Sequence, residues 1–226
     1  MSRPAVLLDR DGTVIREIDY LRAVDQLRLL PGAAKAIRFL HEGGLAVVIL
    51  TNQSGIARGL LTEDDLAEIH QEMTRRLARR GATVDAIYYC PHHPEATVAQ
   101  YRKNCDCRKP AAGLLRRAAR ELDLDLARSY VIGDRARDLE PGRSAGCRTV
   151  LVRTGYGAEE EGAWREEWRP DHVADNLTRA AEWILMQEVR HLVQEGLQEV
   201  RHLLQEPTAL AETELSPPTP DPCEPH

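Results

Sequence analysis

Five short apolar runs set the fold class of this chain: PAVLLD at 4–9, LAVVILT at 45–51, VDAIYYC at 84–90, SYVIGD at 129–134 and CRTVLV at 147–152. Between them lie helical patterns near 32–43, 63–80, 111–122 and 138–145. Strand-length runs that alternate with helices predict βα units wound into a parallel sheet. Several runs are apolar on both faces, which suits central strands covered by helices on each side. The expectation is an α/β protein with a Rossmann-like, doubly wound parallel sheet and helices on both faces. At 226 residues the chain can bury one sizeable core. Ligands of such sheets sit at the carboxyl ends of the strands, where the loops gather. Asp9, Thr51 and Asp134 all fall at those ends.

Charge and composition narrow the partners. A net charge of -6 gives no basic field for a phosphate backbone, so no nucleic acid partner is expected. No stretch approaches the roughly 18 apolar residues of a membrane span. The start MSRPAVLL runs into the first strand without a signal-peptide pattern, so the expectation is a cytoplasmic protein with no membrane partner. Five cysteines, three of them inside residues 90–107, fit a metal site in a reducing compartment better than a disulfide framework.

The stretch Asp9-Arg10-Asp11-Gly12-Thr13 carries the first chemical signal. Two carboxylates at i and i+2 leave a strand on the same side, and Gly12 lets the chain turn closely around a ligand. Such a pair suits a hard divalent cation such as Mg²⁺, or a division of labour between a nucleophile and an acid/base. Three further stretches point the same way. In ILTNQSGIARG, 49–59, Thr51 ends a strand, and Asn52, Ser54 and the amides near Gly55 can cradle phosphate oxygens. In CRKP, 107–110, Lys109 precedes Pro110, a favourable first helical residue, so a cation and a helix N-terminus are expected together. In VIGDRARD, 131–138, Gly133-Asp134 ends another strand and supplies a third carboxylate. Each alone has a structural explanation as a cap, a solvated charge or a turn, but their occurrence together at strand ends favours a site.

In this order, DxDGT, strand-end Thr, Lys-Pro and GD resemble the haloacid dehalogenase superfamily of phosphohydrolases over roughly residues 4–185. The resemblance implies Asp9 as nucleophile and Asp11 as general acid/base. It implies Thr51 and Lys109 as holders of the transferring phosphoryl group, and Mg²⁺ bound by Asp9, the Asp11 carbonyl and Asp134, with Asp138 supporting the metal. The intervals from Asp9 to Thr51 and from Thr51 to Lys109 are already filled by core elements, so no cap domain fits.

Cys90-Pro91-His92-His93 and Cys105-Asp106-Cys107 supply three thiolates and an imidazole, a complete tetrahedral set for structural zinc in a loop at 90–107. Either histidine could be the fourth ligand. LDRDGT, TNQSGIARG, IYYCPHHP, CDCRKP and LVRTGYG together are similar to the bacterial D-glycero-D-manno-heptose-1,7-bisphosphate 7-phosphatase family, and that likeness selects Cys90, His92, Cys105 and Cys107. It implies a Mg²⁺-dependent phosphoric monoester hydrolase that removes the C7 phosphate of a small sugar bisphosphate through an aspartyl-phosphate, in nucleotide-activated heptose synthesis. Expected substrate contacts are Glu17, Asp19, Tyr20, Asn52, Gln53, Ser54, Arg108 and Arg135, with Arg108 and Arg135 assigned to the second phosphate. Alternatives are a histidinol-phosphate phosphatase, which shares the zinc ligands, and a non-catalytic zinc-stabilised interaction module.

The phosphatase domain is expected over 1–186. Residues 188–206, EVRHLVQEGLQEVRHLLQE, repeat nearly the same eight residues at a spacing of 11 and predict an amphipathic helix over 187–206. Packing on its own domain and self-association of an otherwise monomeric chain are the two uses weighed for its stripe. Residues 207–226 hold six of the 13 prolines, and a disordered tail is expected there.

Overall fold

The computed structural model describes residues 2–162 and 169–205. Six strands form one sheet: β1 (Ala5–Leu8), β2 (Ala46–Asn52), β3 (Ala86–Cys90), β4 (Tyr130–Gly133), β5 (Arg148–Val152) and β6 (His172–Ala174). Their order is β3-β2-β1-β4-β5-β6 and every pairing is parallel. The order reverses between β1 and β4, so the loops leaving these two strands diverge and leave a crevice at their carboxyl ends. Asp9 and Asp134 are the residues that follow them.

The helices are α1 (Ala33–Glu42), α2 (Ser54–Ala57), α3 (Glu63–Ala78), α4 (Gly113–Leu122), α5 (Ala136–Ser144), α6 (Gly157–Glu161) and α7 (Leu177–Gln205). Strand side chains alternate between two layers, as the two-residue period requires. Val6 and Leu8 of β1 join Val47 and Ile49 against Ile37 and Leu40 of α1, Leu66, Ile69 and Met73 of α3, and Ala180 and Ile184 of α7. Ala5 and Leu7 face the other way, with Val48 and Leu50, onto Leu114, Leu115 and Ala118 of α4 and Leu139 of α5. Each fully buried Leu, Ile or Val contributes about 1.5–3 kcal/mol, so this double cover holds the central strands firmly. The sheet and its two helical layers match the expected class.

The chain between β1 and α1 folds back on itself through bridges from Ile15 to Asp11 and Leu29, and it buries Val14, Ile15, Leu21 and Leu27 in the core. Among the described residues up to 187, no second compact unit interrupts the first. The described residues 188–205 belong to a separate unit. The expected helix over 187–206 is the later part of a longer one, because the helical pattern already begins at Leu177. Its first turns bury Leu177, Ala180, Ala181 and Ile184. Met186, Val189, Leu192, Val193, Leu197 and Val200 are 52–62% exposed. The tail expectation for 207–226 lies outside the described residues. Among the described residues no helix is long and apolar enough to cross a membrane.

Candidate active site

β1 delivers Asp9 to the crevice, and the Asp9 N–H donates to the Ile132 carbonyl at 2.9 Å, fastening the strand end to β4. β4 delivers Asp134, and the first turn of α5 delivers Asp138. One carboxylate oxygen from each of Asp9, Asp134 and Asp138 lies within 4.8 Å of the others, and all three residues are buried. Burial, ahead of every charge, pushes Asp9 well above the usual carboxylate range, with Lys109 opposing and Asp138, Asp134 and Asp11 reinforcing. Burial and then Asp138 push Asp134 up to about 7. Lys109 Nζ lies 2.5 Å from Asp9 Oδ1, 2.7 Å from Asp138 Oδ1 and 2.8 Å from the Leu50 carbonyl. Burial works against the charge of Lys109, but Asp138 and Asp9 outweigh it and raise its pKa. Three crowded oxygen donors with one ammonium leave negative charge that a hard divalent cation could neutralise.

Backbone shape makes room for Asp134. Gly12 (φ +80°) and Gly155 (φ +61°) occupy the left-handed region, and a Cβ at either would lie 2.2 Å or 2.1 Å from Asp134 Oδ2. The Tyr156 N–H donates to that oxygen at 2.9 Å. Lys109 is fixed by its neighbours rather than by a helix. α4 begins at Gly113, so the expectation of Pro110 as a first helical residue is corrected: the chain first turns, with Ala111 N–H donating to Arg108 O and Gly113 N–H to Asp106 O. Asn52, expected to touch substrate, lines the cavity and uses both ends of its amide on the Lys109 backbone, donating to Lys109 O and accepting from Lys109 N–H at 3.0 Å each.

Asp11 does not join the buried carboxylates. Its Oδ2 accepts from Arg10 Nε at 3.0 Å, Gln53 Nε2 at 2.9 Å and Thr51 Oγ1 at 3.4 Å, and its Oδ1 accepts from Arg10 Nη2 at 3.0 Å. Gln53, also expected as a substrate contact, is buried and bonded to Thr51 Oγ1 at 2.8 Å as well. The side chain of Asp11 therefore faces Arg10, Gln53 and Thr51, which corrects any reading of it as a third carboxylate beside Asp9 and Asp134.

The crevice opens into a cavity of about 280 Å³, the size of a small molecule. Its rim has two chemistries. On one side lie Glu17, Asp19, Tyr20, Tyr156 and Arg135: Tyr156 donates to Asp19 at 3.1 Å, and the Arg135 guanidinium stacks 3.5 Å from the Tyr156 ring centre. The rim also carries Arg58, Arg108 and Arg137 with His93, and Ser54 lines the floor at the start of α2. Arg58, Arg108 and Arg137 have no described carboxylate within ion-pair distance. Arg108 is half-buried, donates to His92 O at 3.2 Å, and has its pKa lowered by burial, with Arg137 and Arg58 adding repulsion. An unpaired cationic cluster of this kind is built for an anion.

Beside this rim, Cys90, His92, Cys105 and Cys107 converge. Sulfur to sulfur separations are 3.5, 3.3 and 3.2 Å, and His92 Nδ1 lies 3.3 Å from Cys107 Sγ and 3.7 Å from Cys90 Sγ. These are too long for disulfides and close to the ~3.8 Å edge of a tetrahedron with 2.3 Å bonds. Burial first, then the crowding thiols, raises the pKa of Cys90 and Cys107, so a soft cation would displace protons here. His93 points elsewhere: its Nδ1 accepts from Glu95 N–H at 3.1 Å.

Several participants escaped the sequence reading. Arg10 and His70 were not singled out, although a charged residue inside an apolar strand end was a usable signal for Arg10. Arg58 and Arg137 sit in stretches already quoted, and only the fold shows that they approach Arg108.

The chain can now be set beside known proteins. A family model of HAD-hydrolase-like proteins matches residues 106–180. The D-glycero-beta-D-manno-heptose-1,7-bisphosphate 7-phosphatase of Yersinia pestis is 43% identical over 175 residues, which cover 77% of this chain and 93% of that protein. The D-glycero-D-manno-heptose-1,7-bisphosphate 7-phosphatase of Thermosynechococcus vestitus is 42% identical over 189 residues, covering 81% of this chain and 96% of that one. Among solved structures, D,D-heptose 1,7-bisphosphate phosphatase from B. bronchiseptica, complexed with magnesium and phosphate, aligns with a TM-score of 0.73 at 39% identity, covering 81% of this chain and 99% of that chain.

Proposed function

Because the chain belongs to the D-glycero-D-manno-heptose-1,7-bisphosphate 7-phosphatase family of HAD-like hydrolases, we propose that it removes the C7 phosphate of that sugar bisphosphate through an aspartyl-phosphate on Asp9. The observation that carries the reading is the pairing of a buried carboxylate group around Lys109 with an unpaired arginine cluster at the same cavity. In this reading an Asp9 oxygen attacks phosphorus and the bond to the sugar oxygen breaks. Asp11 gives that oxygen its proton, then takes one from the water that hydrolyses the aspartyl-phosphate. Lys109 and Thr51 hold the phosphoryl oxygens. Asp9, Asp134 and the Asp11 carbonyl would hold Mg²⁺, with Asp138 behind them, and the ion supplies charge neutralisation at the transferring group.

Asn52 positions Lys109, whereas Ser54, Glu17, Asp19 and Tyr20 face the sugar. Arg108 binds the second phosphate, now with Arg58 and Arg137 beside it. Arg135, stacked on Tyr156 and drawn towards acidic neighbours, is better suited to shaping the sugar side. Cys90, His92, Cys105 and Cys107 would hold Zn²⁺, a closed set with no open position for substrate, which fixes the loop leading directly into Arg108 and Lys109. Phosphate release assayed on both anomers of the heptose bisphosphate and on histidinol phosphate tests the assignment. A bisphosphate anomer is expected to be hydrolysed fastest, and faster hydrolysis of histidinol phosphate would overturn it.

A further inference from the structure

The pair formed by buried Arg10 and half-buried His70 has no role in the reading above, yet its arginine contacts Asp11, the proposed acid/base. Arg10 is 1% exposed and presents Nε and Nη2 as a fork to the two oxygens of Asp11, 3.0 Å each. Its remaining arm, Nη1, reaches His70 Nε2 at 3.1 Å across 60 residues of sequence. A guanidinium has donors only, so Nε2 must accept and the ring must be neutral with its proton on Nδ1. Burial, followed by the Arg10 charge, agrees by lowering the His70 pKa to about 3.

His70 is itself held rigidly. α3 starts with a capping box in which Thr62 Oγ1 accepts from Asp65 N–H at 3.1 Å and Asp65 Oδ2 accepts from Thr62 N–H at 2.7 Å. Ile69 and Met73 anchor the same turns in the core, and the Tyr89 ring meets the imidazole edge-on at 6.0 Å. Gln53 and Thr51 restrain Asp11 only through Oδ2. Among the described residues, Arg10 supplies the side-chain hydrogen bond to Oδ1.

We propose that His70 is a positioning residue that, by accepting from Arg10 Nη1, fixes the guanidinium fork and through it the direction in which Asp11 addresses the leaving oxygen. The inference rests on the phosphatase reading of Asp11. It follows from the sensitivity of proton transfer to placement: an error of about 1 Å in a reacting group can cost about 10²-fold.

The test replaces the acceptor and varies the leaving group. His70→Leu should lower kcat on the heptose bisphosphate about 10- to 100-fold with KM little changed. His70→Gln, which returns an acceptor at similar reach, should restore most of it. With p-nitrophenyl phosphate, whose leaving group needs little protonation, the pre-steady-state burst should be as fast in His70→Leu as in wild type, because Asp9 still attacks normally. His70→Met serves if His70→Leu does not fold. Equal slowing of the burst and of the alkyl ester, failure of His70→Gln to rescue, or an apolar variant that matches wild type would overturn the role of His70. A wild-type protein that hydrolyses neither ester would overturn the phosphatase reading and this inference with it.

Discussion

Two clusters of metal-compatible side chains lie close together in this molecule and differ in nearly every physical respect. The Asp9, Asp134 and Asp138 group offers hard oxygen donors, is fully buried, and already contains a cation in Lys109. The Cys90, His92, Cys105 and Cys107 group offers soft sulfur and nitrogen donors and is only partly buried. The first sits at the strand-order reversal, where loops open outwards. The second closes a loop against the end of β3. A divalent ion at the first would act on bound phosphate, whereas one at the second would set the path of the chain. Cys107, Arg108 and Lys109 are consecutive, so the chain leaving the second cluster leads straight to Lys109, which pairs with Asp9 and Asp138 of the first.

The largest effect that could break this division is at Asp9. Asp9→Asn keeps the shape and removes the proposed nucleophile, so turnover should fall by about 10⁴-fold or more while the thermal midpoint stays near wild type. Phosphate release within about 10²-fold of wild type, or a phosphoryl-enzyme adduct still formed by this variant, would remove Asp9 from the covalent step.

Next in size is the thiolate cluster. Cys107→Ser should lose about one zinc per chain, lower the melting temperature by several degrees and reduce activity about 10²-fold through the displaced Arg108 and Lys109. Withdrawal of Mg²⁺ should abolish activity reversibly with a much smaller change in melting temperature. Elemental analysis alongside calorimetry separates the two, and full activity in a zinc-free protein would refute the coupling.

The contrast also shows what a sequence discloses. Asp9 and Asp134 are visible because each is a charge that ends an apolar run, and the Cys/His set because its spacing has few other uses. The sheet was legible for the same reason, as strand runs alternate with helical ones. β6 was not, since three residues, His172–Ala174, are too short to show a period. The start of α7 at Leu177 is less legible, because the 11-residue repeat marks only its later half. Asn52 and Gln53 look like ligands in sequence, and only the approach of Lys109 and Asp11 reveals that their amides are engaged inside the protein. Arg10 meeting His70 is a tertiary contact with no local signature.

A smaller effect distinguishes the arginines of the rim. Arg108→Ala should lower kcat/KM for the bisphosphate about 10- to 100-fold and leave a small monophosphate nearly unchanged. Arg135→Ala should cost less, because its guanidinium is stacked on Tyr156. Equal losses on both substrates would assign Arg108 to the reacting phosphate.

The smallest effect concerns protons at the carboxylate cluster. Asp134 is pushed up to about 7, first by burial and then by Asp138, with the Tyr156 N–H opposing. In the metal-free protein the folded chain thus holds a proton that the unfolded chain would release. Its stabilising contribution is complete below the unfolded value of 3.8 and is lost as pH rises through about 7. Mg²⁺ needs the same oxygen unprotonated, so metal and proton compete. Mg²⁺ should therefore bind about tenfold more weakly at pH 6 than at pH 8, and the melting temperature it adds should shrink in the same direction. The thiolate cluster should not follow this curve, because burial raises its Cys90 and Cys107 groups from a much higher starting point. Calorimetric titration of zinc-loaded protein with Mg²⁺ at the two pH values reads the effect directly. An affinity unchanged between them would show that Asp134 is already ionised without metal, and that crowding of carboxylates does not distinguish this cluster from an ordinary acidic site.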